Sequence, residues 1–238
     1  MIIVMRKSNV ILIGLIFALL LAIYSLNMSS DTQTAIAGRD QTGQKTVVID
    51  AGHGGEDPGK ISSYSDLKEK DLNLKIAFKV KELLESDNYK VIMTREEDRL
   101  VYSEGTTNIY NKRKQDLTRR KDIMDNSGAQ IVVSIHMNSF PQSQYYGAQT
   151  FYPPYSPESL KLANLLQDSL KENVDKSNKR APQEKKDQIV ILTDLKTPTT
   201  IVECGFLSNS EEERKLGAED YQARIAAAIK KGIDNYFK

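Results

Sequence analysis

The sequence predicts a single α/β domain: a central mixed sheet of about six strands with helices on both faces. Three observations predict it. Strand-like apolar runs alternate with stretches whose apolar residues recur at helical spacing. The pattern fills about 190 residues, Lys45 to Lys238, enough for one well-buried domain. Both histidines of the 238-residue chain close strand-like runs, at the sheet edge where α/β proteins tend to place their chemistry.

Ahead of that domain, Arg6 and Lys7 precede an uninterrupted apolar run from Val10 to Leu26. Positive charge followed by an apolar core describes a secretory signal peptide or an uncleaved anchor. As a helix the run is about 25 Å long, long for a signal core and just enough to span a bilayer with snorkelling flanks. That length favours the anchor, since Ala35-Ile36-Ala37, a small-x-small cleavage site, lies far from the apolar core. A buried core helix fits least, because the run has no polar face. Residues 1–28 are read as signal peptide or N-terminal membrane anchor, 29–44 as a polar linker and 45–238 as the exported domain.

Thr46 to Asp50 is apolar and β-branched, a strand ended by the Gly52-His53-Gly54-Gly55 turn. Leu72, Leu74, Ile76, Val80, Leu83 and Leu84 approximate helical spacing and mark a helix between Lys68 and Glu85. Tyr89 to Thr94 alternates as a short strand, and residues 98–112 are polar and irregular, a surface loop. Arg113 to Asn126 is helical, with Gly128 as its stop. Ala129 to His136 is the most apolar strand, and Ala148 to Tyr152 another, closed by Pro153-Pro154. Pro157 to Val174 is a helix and residues 175–187 a charged loop. Gln188 to Leu192 and Thr199 to Phe206 complete the strands, and Tyr221 to Phe237 is the closing helix.

A formal net charge of +1 creates no field that would attract nucleic acid. The one cysteine, Cys204, cannot form an intrachain disulfide, and an exported chain without disulfides suits a bacterial exterior.

Four residues are candidates for chemistry. His53 sits in Asp50-Ala51-Gly52-His53-Gly54-Gly55, where the glycines permit a sharp turn that leaves the imidazole facing a cleft; an ordinary surface-turn histidine is the alternative. His136 ends Ser134-Ile135-His136-Met137-Asn138, with Ser134 or Asn138 as groups that orient its ring; the alternative is a hydrogen-bonded core histidine. A metal held by both needs a third protein ligand, and composition does not choose among the many carboxylates. Glu69 is the candidate because it opens the helix after the His53 loop, although on the residues alone plain helix capping explains it better. Glu203 lies within the otherwise apolar Thr200-Ile201-Val202-Glu203-Cys204-Gly205-Phe206. A carboxylate buried there is either paired with a cation or functional with a raised pKa. Strand alternation puts Cys204 on the opposite face, as a small buried hydrophobe. Two His, one Glu and a further Glu form the parts of a three-ligand zinc site with an acid–base carboxylate, suited to amide hydrolysis.

The stretches VVIDAGHGGEDPG, KEKDLNL, MTREED, GAQIVVSIHMNS, GAQTFY and KTPTTIVECGFLSN resemble the zinc-dependent N-acetylmuramoyl-L-alanine amidases of the Amidase_3 family, and together cover essentially the whole exported domain. The resemblance implies one Zn2+ held by His53, Glu69 and His136, with Glu203 as the catalytic glutamate and peptidoglycan as substrate. The long stretch from Thr94 to Arg120 resembles the family's sporulation branch, which implies trimming of spore-cortex stem peptides on the way to muramic-δ-lactam, in the space between forespore and mother cell. A three-ligand zinc site with few supporting groups binds metal weakly, which leaves room for an activating protein partner that holds the ligand loops, with residues 98–112 as a candidate surface. A non-catalytic wall-binding regulator, or a zinc hydrolase cutting another wall bond, stays open.

Overall fold

The computed structural model describes residues 43–186 and 189–238; the apolar run and most of the linker lie outside the described residues. Six strands form one sheet: β1 (Thr46–Ala51), β2 (Lys90–Met93), β3 (Ile131–Asn138), β4 (Gln149–Tyr152), β5 (Gln183–Glu184) and β6 (Thr199–Phe206). Their order is β2-β1-β3-β6-β4-β5. β1, β2, β3 and β6 run parallel, and β4 pairs antiparallel with β6. The expected mixed α/β sheet is therefore present. The chain runs outward from β1 to β2, then returns to place β3 on the other side of β1. Such a reversal opens a crevice at the carboxyl ends of β1 and β3, and His53 and His136 stand at those two ends.

Alternation sorts the strand residues between two cores. Val47, Ile49, Ala51, Ile131, Val133, Ile135, Val202 and Cys204 face one side. There they meet α1 (Glu69–Ser86), α3 (Pro157–Asn173) and α5 (Glu219–Tyr236), through residues such as Ile76, Leu166 and Ile229. Val48, Val132 and Ile201 face the other side and pack on Met124 of α2 (Ile109–Asn126) and on Ile191 and Leu192. Cys204 is fully buried, on the face away from Glu203.

Three local expectations change. Residues 190–192 form a single 3-10 turn, not a strand, and Gln188 lies outside the described residues. Val190-Ile191-Leu192 has strand composition, yet its backbone closes on itself (Leu192 N–H to the Ile189 carbonyl, 2.8 Å) while Ile191 and Leu192 fill the second core. The fifth strand is instead Gln183–Glu184, inside the stretch read as charged loop, where it pairs with Phe151 and Tyr152. Third, α2 begins at Ile109, because Asn108 caps it by accepting from the backbone N–H of Tyr110 and Asn111. A further helix, α4 (Ser210–Gly217), carries an Asn209 cap, three glutamates in its first turn and Arg214 and Lys215 in its last.

Candidate metal centre and catalytic cleft

The turn after β1 is held by buried cations. Asp50 is 1 % exposed and accepts from Thr94 Oγ1 (2.5 Å), Ser134 Oγ (2.6 Å) and Arg120 Nη1 (3.0 Å). Burial alone would raise its carboxyl; Arg120 and the two hydroxyls outweigh that and hold it below the usual range. Arg120, itself 1 % exposed, also binds Asp116 Oδ2 (2.6 Å) and donates to the carbonyls of Ala51 (2.6 Å) and His53 (2.7 Å). Arg95 donates to the carbonyls of Ala51 (2.8 Å) and Gly52 (3.0 Å), and Asn73 to that of Gly52 (3.1 Å). Every carbonyl from 51 to 53 is thus fixed from behind. This grip keeps His53 at φ 63°, a left-handed conformation that a histidine adopts only when its surroundings impose it.

Glu69, His53 and His136 converge. Glu69 does not cap its own helix; its carboxylate turns back toward the sheet. Oε1 lies 2.9 Å from His136 Nδ1, 3.1 Å from His53 Nε2 and 3.1 Å from the Met137 N–H, and Oε2 accepts from the Lys60 N–H at 2.8 Å. One donor atom from each residue lies within 4.8 Å of the others. Two donors about 2.1 Å from one ion at a tetrahedral angle stand about 3.4 Å apart. Two imidazole nitrogens and one carboxylate oxygen at these separations therefore fit a zinc ion. Burial would raise the Glu69 carboxyl, but His136 and His53 hold it well below the carboxylate range. Burial would lower His53, yet the hydrogen bonds its ring donates to Asp57 and Glu69 push it up to about 9 without metal. Asp57 Oδ2 meets His53 Nδ1 at 2.8 Å, the partner that fixes a ligating ring through its other nitrogen.

Two glycines give this centre its space. A Cβ on Gly52 would lie 2.2 Å from His136 Cε1, and one on Gly59 would lie 2.6 Å from Glu69 Oε2. Glu203 stands directly across from His136 in the β3–β6 ladder. Its Oε2 is buried and has no hydrogen-bond partner among the described residues. Burial raises its pKa to about 7 from 4.5, and the nearby Glu69 charge adds to the rise. A cavity of about 240 Å³ lies over these groups, with Leu100, Leu117, Phe151 and Ile201 as apolar walls.

Of the four predicted residues, His53, His136 and Glu203 line this cleft, and Glu69 joins the two histidines. The expected ring-orienting role of Ser134 and Asn138 does not hold. Ser134 donates to Asp50, and the Asn138 side chain accepts from Ser139 N–H; the His136 ring faces Glu69 Oε1 at 2.9 Å. Sequence reasoning missed Asp50, Arg120, Arg95 and Asp57. Two of them gave a usable signal: Asp50, a carboxylate inside the apolar β1, and Asp57, a carboxylate four residues after a candidate ligand.

Residues 47–235 match Amidase_3, a family described as N-acetylmuramoyl-L-alanine amidase. A germination-specific N-acetylmuramoyl-L-alanine amidase of Bacillus subtilis (strain 168) is 36% identical over 193 residues, spanning 81% of this chain and 80% of that protein. Among solved structures, the CwlD amidase from Clostridioides difficile in complex with the GerS lipoprotein superposes with a TM-score of 0.79 at 46% identity, covering 82% of this chain and 98% of that one. An N-acetylmuramoyl-L-alanine amidase from Clostridium difficile 630 gives 0.70 at 30% identity, over 82% and 97%.

Proposed function

Because the chain belongs to the Amidase_3 family and is an N-acetylmuramoyl-L-alanine amidase, we propose that one zinc ion held by His53, Glu69 and His136 serves the cleavage, and that Glu203 moves the protons. The bond joins the lactyl carbonyl of N-acetylmuramic acid to the amino group of L-alanine in peptidoglycan. When bound, zinc supplies Lewis-acid polarisation of that carbonyl and renders water nucleophilic near neutral pH. Glu203 Oε2, which has no hydrogen-bond partner among the described residues, accepts the proton of the attacking water. It then returns that proton to the alanine nitrogen, so the stem peptide leaves as a neutral amine and the carboxylate is restored. A pKa of about 7 lets one group do both. Asp57 accepts from His53 Nδ1 and leaves Nε2 toward the cleft, while Leu100, Leu117 and Ile201 thin the water around the reacting atoms.

The observation that carries this reading is a buried carboxylate oxygen of Glu203, without a hydrogen-bond partner among the described residues, on a strand residue paired with a histidine of a two-His, one-Glu cluster. Intact peptidoglycan digested with zinc-loaded protein should release stem peptides with free L-alanine N-termini, read by mass. Products cut within the stem, or deacetylated sugars, would overturn it.

The same proposal extends to spore cortex, on the strength of the germination-specific relative and the likeness to CwlD. Introduced into a spore former lacking its germination-specific amidase, this chain should restore muramic-δ-lactam to the cortex. Lactam-free cortex despite detectable protein would remove the role. Export, by an anchor or a cleaved signal, is supported by residues 1–28 and is tested by protease accessibility on intact cells. The GerS complex of CwlD supports a lipoprotein partner, which co-purification with zinc analysis would test.

A further inference from the structure

The geometry points to a task for the segment 98–113: it clamps the loop that carries His53, and through that loop sets how tightly the centre holds its ion. This rests on the metal-centre reading above. The loop from His53 to Gly59 has little rigidity of its own. His53, Gly54, Gly55 and Gly59 all have positive φ, and the internal ties all run through Asp57: the reciprocal Gly54–Asp57 backbone bonds of 3.0 and 2.9 Å, and its carboxylate, which meets His53 Nδ1 at 2.8 Å and the Gly59 N–H at 3.4 Å.

The segment supplies what the loop lacks. Asp98 Oδ1 accepts from the Gly55 N–H at 2.7 Å, while Lys70 joins Asp98 Oδ2 (2.6 Å) to the Gly55 carbonyl (2.8 Å). Glu56 receives Lys112 Nζ at 2.9 and 2.7 Å and the Tyr102 hydroxyl at 3.3 Å. The Lys112 ammonium also lies 4.7 Å from the Tyr102 ring centre. Arg113 Nη2 meets Asp57 Oδ1 at 2.5 Å, and the other oxygen of that carboxylate holds His53 Nδ1. A guanidinium in the segment thus reaches a metal-site imidazole through one shared carboxylate. The backbones touch as well: a Cβ on Gly54 would lie 2.7 Å from the Arg99 carbonyl oxygen, and one on Gly55 2.9 Å from the Leu100 nitrogen.

Lys112 and Arg113 are positioning residues on this account. Each tie is a partly exposed polar contact that contributes little to folding. Their joint effect falls on the placement of His53, and loss of such outer-shell partners typically weakens metal binding 10–100-fold.

The experiment uses the full chain, with zinc affinity read by competition with a chromophoric chelator. Lys112→Gln/Arg113→Gln should bind zinc about 10–100-fold more weakly, with the metal-free melting temperature unchanged. Glu56→Lys and Lys112→Glu should each weaken binding, and the two combined should restore it. Unaltered or tighter binding in the double variant overturns the clamp, as does a charge swap that restores nothing. So does a melting temperature that falls in step with affinity, since the segment would then be a plain structural part. Wild-type protein that binds no zinc in the same assay removes the metal-centre reading itself.

Discussion

Gly52→Ala isolates the metal centre from the rest of the fold. Gly52 follows β1 and does not occupy the left-handed region, so its backbone accepts alanine without strain. The cost lies wholly in space. The added Cβ would lie 2.2 Å from His136 Cε1, 2.3 Å from Nε2 and 2.7 Å from Nδ1. Carbon atoms in contact stay about 3.5–4.0 Å apart, so the ring must move by more than about 1 Å. Gly52 is itself fixed by Arg95 and Asn73 at its carbonyl and by the Ile135 carbonyl at its N–H, so the imidazole yields rather than the turn. A displacement of about 1 Å costs roughly a hundredfold in turnover. Losing a ligand's position should weaken zinc binding at least as much, a change of about 3 kcal/mol. Chelator competition and stem-peptide release measure the two losses. The metal-free melting temperature should shift by only a few degrees, because a ring without an ion can swing into the cleft. Wild-type zinc affinity and turnover in Gly52→Ala would refute the placement of His136 beside the ion.

Glu203→Gln should lower turnover at least about a hundredfold and leave zinc content unchanged by elemental analysis; an active variant removes the proton-transfer role. The same variant tests burial of the acid. A carboxyl raised on folding favours the fold while it keeps its proton, below about 4.5, and loses that advantage as pH rises through about 7. Metal-free Glu203→Gln should therefore gain up to about 3 kcal/mol over wild type between pH 4.5 and pH 8 in urea titrations; an identical difference at both pH values contradicts a raised pKa. His53→Ala and His136→Ala should each lose metal with the fold intact by circular dichroism, and a zinc stoichiometry of one in either variant would remove that ligand. Arg120→Leu leaves Asp50 and Asp116 buried without their cation and should cost about 3–5 kcal/mol, read from the urea midpoint; a loss below about 1 kcal/mol means the turn carbonyls are held by other groups.

The parts of the molecule legible in its sequence are those where local pattern and tertiary environment agree. β1, β3 and β6 are buried on both faces, so their apolar runs are long, and a polar residue inside or ending one is conspicuous. That is why His53, His136 and Glu203 could be picked out residue by residue. Glu69 could not. Its run of charged neighbours looks like any helix start, and only resemblance to the family singled it out; its contacts come from residues 60, 53, 136 and 137. Arg120 was invisible for a related reason, since it sits among Arg119 and Lys121 and its partner Asp50 is 70 positions away. The exchange of Gln183–Glu184 for 188–192 at the sheet edge has a simpler cause. A two-residue edge strand needs no apolar side chains, whereas a 3-10 turn that plugs a core does.

The strand order has a consequence for how the domain comes into being. β6, formed by residues 199–206, inserts between β3 and β4. Until it arrives, β3 presents an open hydrogen-bonding edge beside the imidazole it carries, and β4 with β5 has no anchor on the rest of the sheet. The three residues that could hold an ion are encoded by residue 136, yet the sheet that positions them cannot close until the polypeptide reaches position 206. Assembly therefore proceeds through contacts distant in sequence, the slow regime for two-state domains. The interval before β6 docks is when a bare strand edge is open to pairing with another polypeptide.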